Sequence, residues 1–198
     1  LLHIHLGLLG SIRLHKSTEV QPSDTVRVRL EGNGYSIDII GPSICETFTH
    51  SELERLKAKI GPDPLRDDSD SIRVFNRISN SRTAIGKLIM DQSVIAGIGN
   101  IYRTEILWRQ NIHPNTVGRL LTQSQLESIW NDAKFLLNIG VKKNSIVTTD
   151  DQISGSKKSK ETLNVFGKIS CPRCDANIVQ LEINGRRAFV CERCQPQN

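Results

Sequence analysis

Apolar and polar positions alternate along the opening of the chain: Val26, Val28 and Leu30 fall on one side and Arg27 and Arg29 on the other, a period of two that predicts a strand. Asn33-Gly34 then supplies a hairpin turn before a second apolar run over residues 36–40, so this part reads as antiparallel β structure. Gly41-Pro42 ends it, and the period changes. Leu53, Leu56 and Ile60 predict a helix over residues 52–60, closed by Gly61-Pro62 and Pro64. Ile72, Phe75 and Ile78 share one face of the next helix, and Ile85, Leu88 and Ile89 one face of another that runs up to Asp91-Gln92. Gly97 and Gly99 interrupt the apolar run, and Asn100 is a good N-cap for a helix over residues 101–109. Thr122-Gln-Ser-Gln125 has capping-box spacing and opens an amphipathic helix carrying Leu126, Ile129, Trp130, Ala133 and Leu137, expected to end at Gly140. Residues 148–160 are Ser, Thr, Gly, Asp and Lys without a period, which reads as a mobile connector.

Composition adds charge and metal chemistry to this pattern. Hydrophobic residues make up 37%, enough for a buried core, and the net charge of +5 suits an anionic partner such as nucleic acid, though basic surfaces also occur without one. No stretch approaches the roughly 20 apolar residues that cross a bilayer, so no membrane span and a soluble protein are expected. The apolar residues 1–9 include His3 and His5 and lack a basic flank, so they read as a strand entered midway and not as a signal peptide. Four of the five cysteines form two Cys-x-x-Cys pairs, Cys171 with Cys174 and Cys191 with Cys194, separated by sixteen residues. Each pair presents two thiolates from one tight turn, the arrangement that converges on one tetrahedral zinc in a reducing compartment. Cys45 stands alone and reads as a small buried hydrophobe. Between the pairs, residues 178–181 and 188–190 can form two strands joined at Asn184-Gly185, a hairpin too small to fold without its metal. Arg186 and Arg187 follow that turn, as phosphate ligands or as solvated charges. The glycines ahead of Asn100 suit either an anion at a helix N-terminus or a tight turn between helices.

Residues 87–92, residues 96–107 and His113-Pro114 resemble the helix-two-turn-helix signature of the formamidopyrimidine-DNA glycosylase/endonuclease VIII family. The cysteine module is similar to that family's carboxy-terminal finger, down to Gly185-Arg186 before Cys191 and Gln195 after Cys194. His5-Leu-Gly-Leu-Leu-Gly10, and Leu65 after Gly61-Pro-Asp-Pro64, extend the likeness over nearly the whole chain. The resemblance implies an α+β fold in four parts. These are the carboxy-terminal part of an antiparallel β-sandwich catalytic domain (1–47), a helix-two-turn-helix DNA-binding domain (48–147), a linker (148–161) and a four-cysteine zinc finger (162–198) holding one structural Zn2+.

It further implies a base-excision DNA glycosylase with AP lyase activity by β,δ-elimination. Such an enzyme is expected to act as a monomer on double-stranded DNA containing a damaged base or abasic site, in the bacterial cytoplasm at the nucleoid. Under the resemblance, Asn100 and Gly99 hold phosphates flanking the lesion, Lys87 adds a phosphate contact, and Arg186 grips the phosphate at the damaged nucleotide and assists elimination. Leu8 stands where the family has a methionine, which makes it the candidate wedge for the void left by a flipped base, or else a core strand residue. Residues 40–46 lack the Arg-Phe pair of the oxidised-purine branch, which favours the endonuclease VIII branch and oxidised pyrimidines.

The family's nucleophile is an amino-terminal proline followed by a glutamate, with a lysine further along. None of these can be placed here, so the expectation is a chain without its amino-terminal catalytic segment, binding damaged DNA without completing the chemistry. Two other readings are a non-catalytic zinc-dependent binder of damaged or abasic nucleic acid and a zinc ribbon serving protein contacts.

Overall fold

The computed structural model describes residues 1–7, 9–156 and 160–197, and the chain divides into two units, Leu1–Ala58 and Lys59–Asn198. In the first, β1 (Leu2–His5) pairs antiparallel with β5 (Ile44–Thr47). β2 (Ser11–His15), β3 (Val26–Gly32) and β4 (Tyr35–Ile40) form a second antiparallel sheet in the order β2-β4-β3. The β3–β4 turn has positive φ at both Asn33 (50°) and Gly34 (79°), the conformation Asn-Gly adopts with little strain.

The simple alternation predicted for β3 is corrected by a bulge. The register shifts between Val26 and Val28, which sets Arg29 opposite Asp38 and leaves Leu30 47% exposed. Asp38 is buried and accepts from Arg29 Nε at 2.6 Å, from Arg29 Nη2 at 2.9 Å and from His15 Nε2 at 2.9 Å. The Arg29 guanidinium holds that carboxyl below the usual carboxylate range. Cys45, expected to be buried, is half-buried on β5.

Helix α1 (His50–Lys59) starts earlier than the apolar pattern predicts, because Thr49 and Glu52 form a reciprocal cap: Thr49 N–H donates to Glu52 Oε2 at 2.8 Å and Glu52 N–H to Thr49 Oγ1 at 3.3 Å. Ile60 lies past its end and is exposed. The first unit ends at Ala58, in the last turn of α1.

In the second unit, α2 (Ser71–Ser79) is capped by Asp70 and buries Val74, Phe75 and Ile78; Ile72, expected on that face, is 66% exposed. α3 (Ile85–Leu88) is a single turn, α4 (Asn100–Arg109) follows, and a 3-10 turn at Gly118–Leu120 leads to α5 (Gln123–Lys143). Both bonds of the Thr122–Gln125 capping box form. The helix continues through Gly140, against expectation, and ends at Asn144, which has φ 47°. Gly140 is a close-approach residue, since the Tyr102 hydroxyl occupies the space a Cβ there would need. α6 (Asp150–Ile153) precedes the hairpin of β6 (Val179–Ile183) and β7 (Arg186–Val190).

The helical core gathers Ile85, Ile89, Ile95, Ile98, Ile106 and Leu136, all essentially inaccessible. No helix among the described residues is long and apolar enough to cross a membrane.

His113 is buried, and its Nδ1 accepts the Asn115 N–H at 3.2 Å. Burial holds its pKa below the ordinary 6.5, outweighing the nearby Glu192 carboxylate. The folded state therefore favours the neutral ring, whose contribution is complete above about pH 6.5 and is lost as pH falls towards the depressed folded value. A ring titration followed by NMR is expected to give a pKa below 6.5; a value above it would reverse the sign of this contribution.

Candidate nucleic-acid interface

The loop between α3 and α4 is built around one side chain. Gln92 accepts the Gly97 N–H at Oε1 (2.9 Å) and donates from Nε2 to the Ile98 carbonyl (2.9 Å), closing residues 92–98 into a fixed turn. Gly97 has φ 86°, a conformation that favours glycine. The cap of α4 differs from expectation: Gly99 is the N-cap and Asn100 the first helical residue, and no side chain among the described residues caps the helix.

The Asn100 carboxamide is engaged elsewhere. Its Nδ2 donates to the Arg187 carbonyl at 3.0 Å, and its Oδ1 accepts from Arg103 Nη2. The first-turn N–H groups of α4 are thus left uncapped behind an exposed Gly99 that meets nothing within 4 Å of a would-be Cβ.

The hairpin meets α4 at this end. Ile183 pairs with Arg186 across a two-residue turn in which Asn184 (φ 54°) and Gly185 (φ 71°) both have positive φ. Ile183 is buried against Gly86, where a Cβ would come within 2.9 Å of Pro114 and 3.2 Å of Ile183 Cδ1, so only glycine allows that approach. Arg186 is exposed at the start of β7, and Lys87 is exposed on α3. Gly99, Asn100 and the hairpin residues around Arg186 therefore meet at one junction, with Gly86, the neighbour of Lys87, packed beneath it. Leu8 lies outside the described residues.

Beneath the junction sits Arg103, fully buried, and its only bonds among the described residues run to uncharged oxygens. Burial, and then the charge of Arg186, bring its pKa down to about 10, so it stays charged at neutral pH. The result is a positively charged junction with open backbone donors, suited to a phosphate.

The four cysteines of the hairpin module converge. Their sulfurs lie within 4.8 Å of one another, with Cys174 3.5 Å from both Cys191 and Cys194 and Cys171 3.9 Å from Cys194. Four thiolates about 2.3 Å from a central metal stand about 3.8 Å apart, so the set can hold a tetrahedral ion. Burial, with the neighbouring sulfurs, pushes the Cys194 thiol up to about 12, a resistance to ionisation that a bound cation would remove. Trp108 Nε1 donates to Cys171 Sγ at 3.4 Å, and the Arg173 guanidinium lies 4.1 Å over the Trp108 ring. Gln195 accepts the Cys191 N–H at 3.1 Å and donates to the Ile112 carbonyl at 2.8 Å, tying the module to the helices.

Residues 60–151 match the formamidopyrimidine-DNA glycosylase H2TH domain. Endonuclease 8 1 of Mycobacterium tuberculosis is 34% identical over 203 aligned positions, covering 98% of this chain and 76% of its own length. The chain belongs to the formamidopyrimidine-DNA glycosylase/endonuclease VIII family. Formamidopyrimidine-DNA glycosylase of Legionella pneumophila is 30% identical, with 98% of this chain and 73% of the relative covered.

Among solved structures, the Lactococcus lactis enzyme bound to DNA containing N7-benzyl-Fapy-dG superposes with a TM-score of 0.81 at 25% identity, covering 99% of this chain and 75% of that one. The same enzyme bound non-covalently to DNA containing an AP site gives 0.81 at 24%, covering 99% and 74%. The fold is thus that of the formamidopyrimidine-DNA glycosylase/endonuclease VIII family, with β-sheets, the helix-two-turn-helix domain and the four-cysteine cluster.

Sequence reasoning did not single out Arg103, Glu105 or Trp108 within this family's signature. No local pattern marked them: residues 102–108 of α4 are all buried in the fold, polar Arg103, Thr104 and Glu105 included, because α3, α5 and β7 pack around the helix.

Proposed function

We propose that this chain serves a base-excision DNA glycosylase with AP lyase activity (β,δ-elimination) that acts on oxidised bases, pyrimidines before purines, in double-stranded DNA. The observation that carries the reading is the convergence of the uncapped α4 N-terminus, Asn100 and the hairpin bearing Arg186 over a buried cation that has no carboxylate partner among the described residues. Rotating a base out of the duplex costs on the order of a few kcal/mol, which contacts to the flanking phosphates must offset.

In this reading Gly99 and Asn100 hold one phosphate and Arg186 the phosphate at the damaged nucleotide, where its charge also assists elimination; exposed Lys87 adds a weaker contact. Cys171, Cys174, Cys191 and Cys194 hold one structural Zn2+ that keeps the hairpin folded. The preference for pyrimidines draws support from the higher identity to endonuclease 8 1, 34% against 30% for the Legionella enzyme. The alternative is a non-catalytic, zinc-dependent binder of damaged or abasic DNA.

Borohydride trapping on an abasic-site duplex separates the two readings, because only an amine that forms an iminium with the sugar becomes covalently attached. A trapped adduct is expected from a protein carrying this chain; lesion-selective but purely reversible binding would favour the alternative. In the same assay, Arg186→Ala is expected to weaken abasic-duplex binding about tenfold, with a salt slope smaller by about one and zinc content unchanged. Unaltered affinity in that variant rules out the role given to Arg186.

A further inference from the structure

We propose that Arg103 is a positioning residue that sets Asn100, Lys87 and Arg186 in register with one another. The inference rests on the reading that Asn100 and Arg186 hold phosphates. One guanidinium reaches the neighbourhood of all three groups: Nη1 donates to the carbonyl of Gly86, next to Lys87, at 3.5 Å, and Nη2 donates to Asn100 Oδ1 and to the carbonyl of Arg187, next to Arg186, at 3.1 Å. These acceptors lie on α3, α4 and β7, the last of them 84 residues from Arg103.

The same bonds fix the Asn100 amide. Arginine has donors only, so it must face Oδ1, and the Arg187 carbonyl has only lone pairs, so it must face Nδ2. A flip of the amide would set donor against donor and acceptor against acceptor. One of the two Nδ2 hydrogens is taken by Arg187, and the other has no acceptor among the described residues and can serve a ligand.

Stability alone does not account for Arg103. It is fully buried, its Nε has no partner among the described residues, and its charge has no carboxylate partner among them. A well-packed apolar side chain would avoid this desolvation. A planar fork that bonds three oxygens at once is something neither lysine nor an apolar residue supplies. A carboxylate beside Arg103 would cancel the charge and repel a phosphate, so bonding to neutral oxygens orders the site and keeps it cationic.

The test is a double-mutant cycle on the full chain, reading affinity for a duplex with a tetrahydrofuran abasic analogue and for the undamaged duplex, together with the side-chain amide signals of Asn100 in a 1H–15N spectrum. Arg103→Met is expected to weaken analogue binding on the order of tenfold, and Asn100→Ala in that background to add little further, since the amide is no longer held. Arg103→Lys keeps a donor towards Oδ1 and is expected to recover part of the affinity, although its fold is disturbed at least as much. The Asn100 amide signals are expected to shift in Arg103→Met and to move part-way back in Arg103→Lys.

Losses that multiply across the cycle, or Asn100 signals unmoved in Arg103→Met, overturn the proposal. If the unmutated protein does not prefer the analogue to the undamaged duplex, the functional reading fails instead, and the amide signals still report whether Arg103 holds Asn100.

Discussion

Glu105→Ala is expected to lower the stability of the second unit by roughly 3–5 kcal/mol, the cost of leaving several buried hydrogen-bond donors unsatisfied. Glu105 is fully buried on α4, and its carboxylate is the centre about which the chain enters the finger. Oε2 accepts from Thr148 Oγ1 at 2.6 Å, from the Asn164 N–H at 2.9 Å and from Asn164 Nδ2 at 3.0 Å; Oε1 accepts from the N–H groups of Val165 at 2.9 Å and Phe166 at 2.8 Å. Truncation leaves three backbone N–H groups facing a void, and each buried unsatisfied donor costs about 1–3 kcal/mol before water or rearrangement relieves part of it. At about 2–4 °C per kcal/mol for a chain of this size, the melting temperature should fall by about 10 °C or more. Glu105→Gln keeps the shape but turns an NH2 towards N–H donors, and should cost roughly half as much. Thermal unfolding of the zinc-loaded protein measures both; an unchanged transition in Glu105→Ala would show that residues 164–166 are held by something else.

The same carboxylate shows where sequence patterns stop being informative. Signals that act over a few residues were readable: the Thr122–Gln125 box, the Asn-Gly turns at 33 and 184 and the cysteine spacing all depend on neighbours in the chain. The failures occur where a distant group competes with a local rule. Asn100 has the chemistry of an N-cap, but the Arg187 carbonyl, 87 residues away, and buried Arg103 take both ends of its amide.

Arg103 and Glu105 look like solvent-facing charges in a short helix, yet α3, α5 and β7 all pack on α4, and both charges are bonded to backbone that arrives from other elements. Gly140 reads as a helix stop until Tyr102 is found beneath it, and β3 pairs in regular register only beyond the bulge at its start. The junction's members were thus partly legible as residue types, whereas the bonds that assemble them are tertiary. What ties the finger to the helices is of this second kind: Gln195 bridges the Cys191 N–H and the Ile112 carbonyl, and the Arg187 carbonyl meets Asn100 and Arg103.

With zinc held by the four cysteines as proposed, withdrawing it, or replacing one of its ligands in Cys171→Ser, is expected to unfold the finger while the helical core survives. The two parts draw on different sources of stability. Around Ile85, Ile98, Ile106 and Leu136 the helices bury a large apolar cluster, whereas among the described residues the finger buries only Val165, Ile183, Ala188, Phe189 and Val190 beside Cys171 and Cys191, with Trp108 contributed by α4. So small a core cannot offset the chain entropy of residues 162–197, and four-thiolate zinc sites supply on the order of 10 kcal/mol of folding free energy. Loss of the ion removes Gln195's ordered partner at Cys191 and frees β7, so the Arg187 carbonyl leaves Asn100 and Arg103, and Arg186 leaves the junction. Abasic-duplex affinity should then fall at least as far as in Arg186→Ala, and by more if the α4 N-terminus is also disordered. Zinc analysis of Cys171→Ser, with amide exchange before and after chelation, measures this directly. Protection should vanish along β6 and β7 and persist in α2 and α5; stoichiometric zinc in the variant, or a finger still protected after chelation, would sink the four-cysteine assignment.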